Sequence, residues 1–289
     1  MKHPDYNSPS ELKQILDLNG FSMQKKFGQN FLINGDARKK IIDALDVNEN
    51  TTVWEVGPGL GAMTNEILER GANLTVFEID RGFAMLISKF FEEYSENKKF
   101  NLIEGDVLKT WKKQITENIP DRFFGNLPYN IAATLIADTI EKNIRFERCV
   151  FTIQKEVALR MAAKPGTEDY SSFSVLCQWA YNVNPIMDLN GNNFWPRPNV
   201  DSRSVLLTPN ESFPGCNNPG LFIKMERALF SSRRKNLRNN LTVFLHNNDL
   251  AVEALTKAQI DPSKRAEVLS IPEMLRLSDV LNDLMQDNK

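Results

Sequence analysis

The stretch that decides the fold is TTVWEVGPGLG, which covers residues 51–61. Residues 51–56 are mostly β-branched or apolar and predict a buried strand, and glycines follow it at positions 57, 59 and 61. Glycines between a strand and a helix let a ligand approach the backbone N–H groups at the start of the helix. The stretch therefore predicts a binding site for a nucleotide-like ligand at the end of the strand.

The spacing of these glycines bears on the identity of the ligand. It is G-x-G-x-G, whereas the dinucleotide fingerprint is G-x-G-x-x-G, in which the third glycine admits close helix–strand packing. Glu78 ends the next predicted strand, where a carboxylate can accept hydrogen bonds from both hydroxyls of an adenosine ribose. That carboxylate suits NAD and S-adenosylmethionine alike, so only the glycine spacing disfavours NAD. The alternative interpretation of these residues is that the glycines only form a tight turn and that Glu78 is a surface acid.

Predicted strands and helices alternate along most of the chain. Apolar runs of strand length lie at residues 51–56, 73–78, 101–104, 121–125 and 149–153. Helical spacing between most of them predicts an α/β fold with a Rossmann-like, doubly wound, mostly parallel sheet. An antiparallel pair is expected around residues 181–187 and 204–207. Only helical periodicity follows Pro209, which predicts a larger domain over residues 1–209 and a small C-terminal all-helical domain over residues 210–289.

Four polar or glycine positions fall at the carboxyl ends of successive predicted strands, namely Gly57, Glu78, Asp106 and Asn126. Doubly wound sheets bind ligands at this edge, so we expect these residues to line one crevice. Asp106 can accept a hydrogen bond from an exocyclic amine such as adenine N6, although alone it is equally typical of a turn.

The motif Asn126-Leu127-Pro128-Tyr129 ends the fourth strand and permits chemistry on an aromatic amine. Such an amine is a poor nucleophile because its lone pair delocalises into the ring. If the Asn126 side-chain carbonyl and a main-chain carbonyl at Leu127 or Pro128 accept its hydrogens, the lone pair can be aimed at an electrophilic methyl group. Tyr129 can stack on a base withdrawn from its neighbours. The alternative interpretation of this motif is that Asn126 only forms a turn and that Tyr129 packs in the core.

Composition excludes several classes of protein. The 289 residues are 42% hydrophobic and 25% charged, and their longest apolar stretches are too short for a membrane span or a signal peptide. Three separated cysteines without a C-x-x-C pair and two isolated histidines favour neither disulfides nor a metal site. We therefore expect a cytoplasmic protein with no metal and no membrane partner.

The net charge of −2 conceals two basic islands. One, between Arg203 and Arg238, contains the cluster Arg233, Arg234, Lys235 and Arg238. The other consists of Lys25, Lys26, Arg38, Lys39 and Lys40. Together they are typical either of a groove for nucleic acid or of solvated helix faces.

These motifs resemble, in content and order, those of the ribosomal RNA adenine N6-dimethyltransferase family, which modifies two adjacent adenines near the 3′ end of small-subunit rRNA. The resemblance covers nearly the whole chain. The matching segments are residues 26–32, 55–61, 77–80, 104–108, 126–129, 154–156, 194–202 and 230–241. The sequence departs from the family pattern at residues 169–175, where the family more often has glycine at the position of Ser171 and leucine at that of Phe173.

The resemblance implies a role for individual residues. Asn30 and Leu32, in a segment 1–34 that partly covers the cofactor, would contact S-adenosylmethionine, as would Gly59 and Asn126, with Gly57 beside its methionine part. Glu78 would bind ribose, Asp106 adenine, and Asn126 would lie beside the target amine. Residues 1–209 would be the catalytic domain and residues 210–289 the RNA-contacting domain. The implied partner is small-subunit rRNA in a pre-30S-type particle, and the implied state is a monomer.

Three alternatives remain at the level of sequence. A large-subunit rRNA adenine methyltransferase of the macrolide-resistance type shares the cofactor and target motifs, but the complete Phe-x-Pro-x-Pro run at residues 194–198 and the arginine-rich helical region disfavour it. A non-catalytic RNA-binding descendant is disfavoured by the intact motif at residues 126–129. An NAD oxidoreductase is disfavoured by the glycine spacing.

Overall fold

The computed structural model describes residues 3–21, 29–115, 119–127 and 131–287. The chain forms two compact units: the first contains residues 1–135, 145–158 and 184–208, and the second contains residues 136–144, 159–183 and 209–289. Two earlier stretches of chain thus group with the helices that follow Pro209, an arrangement that no single boundary along the sequence describes.

Helices and strands alternate through much of the described chain. The helices are α1 (Pro9–Leu18), α2 (Gly35–Leu45), α3 (Ala62–Glu69), α4 (Arg81–Phe90), α5 (Glu92–Glu96), α6 (Val107–Gln114), α7 (Ala132–Glu141), α8 (Lys155–Met161), α9 (Ser172–Ala180), α10 (Pro219–Phe230), α11 (Leu237–Leu245), α12 (Asn248–Lys257) and α13 (Ile271–Asp287). The strands are β1 (Phe31–Leu32), β2 (Thr52–Val56), β3 (Asn73–Glu78), β4 (Phe100–Glu104), β5 (Arg122–Asn126), β6 (Arg148–Gln154), β7 (Tyr181–Leu189), β8 (Phe194–Trp195) and β9 (Ser202–Pro209).

Seven strands form one sheet in the order β4-β3-β2-β5-β6-β9-β7. The pairs among β2 to β6 are parallel, and β9 runs antiparallel to β6. From β2 the chain first extends the sheet through β3 and β4 and then, on the opposite side, through β5 and β6. Right-handed crossovers in these two directions place helices on opposite faces of the sheet, which confirms the predicted doubly wound α/β fold. The order reverses between β2 and β5, the point at which such sheets bind ligands.

The first unit has a continuous apolar core on one face of the sheet. Alternation along β2 sends Val53 into this core, together with residues from α2, β3 and α4 that are almost completely buried: Ile41, Ile42, Leu45, Leu74, Val76 and Ile87. Trp54 points to the other face and packs edge-to-face on Phe77 and Phe123, at ring-centroid distances of 5.1 and 6.1 Å. Burial on both faces explains why these strands form near-continuous apolar runs in the sequence.

Side-chain caps fix where the first helices begin. Ser8 caps α1 by accepting from Glu11 N, with Pro9 in the first turn. Asn34, Asp80 and Asp106 cap α2, α4 and α6 in the same way. Asn34, Asp80 and Asp106 each lie two residues after the end of a strand, so these strands terminate close to the start of the next helix.

In the second unit α10, α11, α12 and α13 pack around fully buried side chains, among them Phe222, Leu229, Leu241, Leu255 and Leu277. The departure at residues 169–175 is accommodated at the start of α9. Ser171 caps that helix with φ −151° and ψ 173°, an extended conformation that does not require glycine. Its N–H donates to Ser174 Oγ at 3.0 Å.

Candidate active site

The glycine turn after β2 is built from left-handed backbone. Gly57, Gly59 and Gly61 have φ values of 70°, 58° and 88°. A Cβ at Gly61 would lie 2.6 Å from Phe91 Cε2, and one at Gly59 would lie 3.0 Å from Phe31 Cε1. Backbone conformation therefore favours glycine at all three positions, and close packing adds to this at Gly59 and Gly61, so the G-x-G-x-G spacing is a property of this turn.

One crevice at the carboxyl edge of the sheet contains the described residues that the sequence assigned to cofactor and target binding. Its lining includes Asn30, Leu32, Gly57, Gly59, Glu78, Asp106, Asn126 and Leu127. Pro128 and Tyr129 lie outside the described residues. The topology therefore brings together strand ends that are far apart in the sequence.

Glu78 places a buried carboxyl group in this crevice. Only 5% of the residue is exposed, and Oε1 accepts a hydrogen bond of 2.8 Å from Asp80 N. Burial raises the pKa of Glu78 to about 7, while hydrogen bonds from the backbone of Asp80 and Gly59 act in the opposite direction. The group thus titrates near neutral pH and presents a carboxylate only when it is deprotonated.

Glu55 is a second buried carboxyl group on the wall of the crevice. It is 1% exposed, and Thr64 Oγ1 donates to its Oε2 at 2.8 Å. Burial raises the pKa of Glu55 to about 8. Sequence analysis assigned no chemistry to this residue, although an acid inside an otherwise apolar strand is itself a signal of a functional position.

Asp106 is both a turn residue and a crevice residue, the two possibilities that the sequence left open. Its Oδ1 accepts from Leu108 N at 3.0 Å and so caps α6, while the residue also lines the crevice. Lys109 Nζ lies 3.8 Å from Oδ2, but the lysine side chain is 82% exposed, so this ion pair is weak.

Asn126 ends β5 next to the glycine turn. Its Nδ2 donates to the main-chain oxygen of Asn30 at 3.2 Å, and its own main-chain oxygen lies 3.8 Å from where a Cβ at Gly57 would stand. The following residue, Leu127, is fixed by a hydrogen bond of 3.0 Å from its N–H to Thr152 O. The asparagine amide is therefore held at the point where the strand order reverses.

The structure adds residues that sequence analysis left out of the site. Ile79, directly after Glu78, lines the crevice and is 46% exposed. Phe31 of β1 also lines it, and β1 pairs antiparallel with β8, so that Phe31 faces Trp195 and Leu32 faces Phe194. Phe194, the first residue of the Phe-x-Pro-x-Pro run, also lines the crevice and is 5% exposed. A two-residue strand is too short to be detected from periodicity.

The basic cluster after α10 divides into two kinds of side chain. Arg233 Nη2 donates to Glu168 O at 2.7 Å, and Arg238 Nε donates to Asn248 Oδ1 at 2.9 Å. All four residues are exposed, and the hydrogen bonds of Arg233 and Arg238 tie these two side chains to neighbouring parts of the second unit. The second predicted island needs a correction: Arg38 is 5% exposed and is used inside the fold, while Lys25 and Lys26 lie outside the described residues.

Neither a metal-binding cluster nor a membrane-spanning helix occurs in the described ranges. Across residues 3–21, 29–115, 119–127 and 131–287, no group of three or more histidine, cysteine, aspartate or glutamate side chains is arranged to hold a metal ion. Over the same ranges, no helix has the length and apolar character needed to cross a membrane.

The sheet order and the glycine turn give the chain the fold of the class I methyltransferases. Two solved structures share the fold. The crystal structure of a dimethyladenosine transferase from Plasmodium falciparum has a TM-score of 0.72 and 24% identity, covering 88% of this chain and 96% of that one. The crystal structure of the 23S rRNA methyltransferase ErmE has a TM-score of 0.62 and 22% identity, covering 87% and 99%.

Sequence comparison narrows the class to one family. The family described as Ribosomal RNA adenine dimethylase matches residues 20–283. A protein named Ribosomal RNA small subunit methyltransferase A from Treponema denticola is 48% identical over 97% of each chain, and one of the same name from Borreliella burgdorferi is 42% identical over 96% of this chain and 95% of its own. The chain belongs to the ribosomal RNA adenine dimethylase family, which confirms the resemblance seen in its motifs.

Proposed function

We propose that this protein transfers methyl groups from S-adenosylmethionine to N6 of two adjacent adenines near the 3′ end of small-subunit rRNA, giving N6,N6-dimethyladenosines. The observation that carries the proposal is the position of Asn126, which shares one crevice with the glycine turn and Glu78. Family membership supports the reaction, and the names of the full-length relatives support the small-subunit substrate.

The groups in the crevice fit S-adenosylmethionine. Glu78 offers a buried acceptor for ribose hydroxyls, and Asp106 offers an acceptor for the adenine amine. Gly57 and Gly59 carry no side chain between the turn and the methionine part, while Asn30 and Leu32 line the same cavity. When bound, this cofactor supplies an electrophilic methyl group.

The task of the protein is to aim the lone pair of the target amine. Asn126 Oδ1 and a main-chain carbonyl at Leu127 or Pro128 accept the two N6 hydrogens, which lets the nitrogen rehybridise. Tyr129 stacks on the extruded base. The roles of Pro128 and Tyr129 rest on the motif alone. No general base is required, because the proton can leave to water after the transfer.

RNA binding is assigned to the cluster of Arg233, Arg234, Lys235 and Arg238. All four side chains are exposed and can reach phosphates, while the hydrogen bonds of Arg233 and Arg238 favour an additional role for these two in holding the loop. We further propose that a monomer acts on a pre-30S-type particle in the cytoplasm, where the ribosomal substrate is assembled.

Mapping of methylated adenines tests the substrate. In rRNA from cells that lack this protein, the two adjacent adenines near the 3′ end of the small-subunit RNA should be unmethylated, and expression of the parent chain should restore both dimethylations. Restoration of methylation in large-subunit rRNA instead would replace this proposal by the macrolide-resistance alternative.

Replacement of Asn126 by alanine tests the chemistry. Asn126→Ala should lose at least ~10²-fold in single-turnover methyl transfer, because the amine is no longer aimed, while most of the cofactor affinity remains. Labelled cofactor and under-methylated small subunits provide the measurement. Asn101→Ala, at an exposed position of β4, is the matched control and should keep the parental rate.

A further inference from the structure

The hydrogen bond between Asn126 and Asn30 fixes which way the catalytic amide faces. The donor is Asn126 Nδ2 and the acceptor is the main-chain carbonyl of Asn30, at 3.2 Å. A carbonyl oxygen cannot donate, so the amide must direct its nitrogen, not its oxygen, toward Asn30. Because the amide is planar, Oδ1 is then at the opposite end and faces away from Asn30.

We propose that the main-chain carbonyl of Asn30 is a positioning group for methyl transfer, which orients Asn126 so that Oδ1 accepts a hydrogen from the target amine. This inference rests on the proposed function. It assigns to residues 29–33 a role in aligning the substrate, in addition to contact with the cofactor. Asn30 itself does not touch the reacting atoms in this role and acts through Asn126.

Contacts on both sides of this carbonyl hold it in place. At one end of the segment Gln29 Nε2 donates to Asp80 Oδ2 at 3.1 Å, and at the other Ile33 N donates to Asn193 O at 2.8 Å. Between them, β1 pairs with β8, and Arg38 Nη1 donates to Leu32 O at 2.8 Å. Arg38 is 5% exposed. Contacts of this kind restrict the freedom of a short segment and so pre-organise the acceptor.

The proposal distinguishes asparagine from aspartate at position 126. A carboxylate is as good an acceptor for the amine as an amide oxygen, but it has no hydrogen for the Asn30 carbonyl and is repelled by it. A protonated carboxyl group satisfies both partners, since its O–H can donate to Asn30 and its C=O can accept from N6. An Asn126→Asp enzyme should therefore work only in its protonated form.

The experiment is single-turnover methyl transfer by Asn126→Asp between pH 5.5 and pH 9, on under-methylated small subunits with saturating cofactor. Relative to the parent, the rate should fall about tenfold per pH unit above the pKa of the introduced carboxyl group. Asn101→Asp adds the same charge at an exposed position, and its relative rate should not change with pH. Cofactor titration and thermal unfolding at each pH verify that the variant is folded and loaded.

A relative rate that is constant or that rises with pH would overturn the proposal, because the carboxylate would then suffice without a donor. If the variant does not fold, an ester in place of the Asn30–Phe31 amide bond weakens the same acceptor without changing a side chain. The ester should slow transfer at least threefold with cofactor affinity unchanged, whereas an ester at the Phe31–Leu32 bond should slow it less. Equal rates for both esters would also overturn the inference. A parent chain that does not methylate small subunits would instead refute the proposed function.

Discussion

The titration of Glu78 gives a prediction about cofactor binding that can be worked through from the structure. In the free protein this buried carboxyl group has a pKa of about 7, with burial as the main cause. Hydrogen bonds donated by two ribose hydroxyls stabilise the carboxylate more than the neutral carboxyl group, so binding of S-adenosylmethionine should lower this pKa. A group whose pKa falls on binding releases a proton, and the affinity therefore rises as the pH is raised through the free-state pKa.

The magnitude follows from the protonated fraction. With a pKa of about 7, the free protein is about nine-tenths protonated at pH 6 and about one-tenth protonated at pH 8. If the bound carboxylate stays ionised at both pH values, the affinity should increase about tenfold from pH 6 to pH 8, or about 1.4 kcal/mol. Binding should release about 0.9 proton at pH 6 and about 0.1 proton at pH 8.

Titration calorimetry in two buffers of different ionisation enthalpy measures both the affinity and the released protons. The variant Glu78→Gln keeps the shape of the side chain but cannot ionise, so its affinity should lack this pH dependence and should be weaker at pH 8 by roughly 1–3 kcal/mol. Glu55→Gln is the control for the neighbouring buried acid and should retain the Glu78 step.

Two results would refute this reasoning. An affinity of the parent that is equal at pH 6 and pH 8, with no proton release, would mean that the cofactor does not bind the Glu78 carboxylate. A Glu78→Gln variant whose cofactor affinity still rises tenfold from pH 6 to pH 8 would show that another group titrates. If the Glu55→Gln variant then lost this rise in affinity, the titrating group would be Glu55.

Two further predictions concern the second unit. The double variant Arg234→Ala/Lys235→Ala should lower the slope of log affinity against log salt concentration for small-subunit binding by roughly 1.5 and leave cofactor affinity unchanged. The control double variant Lys112→Ala/Lys113→Ala on α6 should keep the parental slope. Equal slopes for the two double variants would mean that the cluster is only a solvated face. Glu226 is fully buried with a pKa of about 8, so the folded state holds its proton more tightly than the unfolded state, and stability is lost as the pH rises from about 5 to about 8. Thermal unfolding at pH 6 and pH 9 should show a smaller loss for Glu226→Gln than for the parent, and identical losses would contradict the buried ionisation.

The sheet and the crevice were predictable from the sequence because their determinants are local. Strands buried on both faces form apolar runs, and a glycine or a capping acid follows the ends of β2, β3 and β4. The runs predicted at residues 51–56 and 73–78 correspond to strands at Thr52–Val56 and Asn73–Glu78. Parallel pairing then brings the ends to one edge whatever their distance in the sequence.

Electrostatic roles were less predictable, because a charged residue type does not reveal its burial. Arg38 stands in a run with Lys39 and Lys40 that is typical of a basic surface, yet it is buried and holds Leu32 O. Glu55 stands in the glycine motif of the sequence, but its raised pKa of about 8 depends on the surrounding fold. Both properties follow from contacts between separate elements, which a single sequence does not display.

The Phe-x-Pro-x-Pro run contributes to the site through a contact with a segment far away in the sequence. Its first two residues form β8, and Trp195 stacks on Phe31 at a ring-centroid distance of 6.1 Å with 26° between the planes. A Cβ at Gly59 would lie 3.0 Å from Phe31 Cε1. A side chain at Gly59 would therefore displace Phe31, and through β1 it would displace the neighbouring Asn30 carbonyl that holds Asn126. In this way the absence of a side chain in the glycine turn helps to set the orientation of the amide at the end of β5, and in the proposed function this contact of Phe31 would align the cofactor with the target amine.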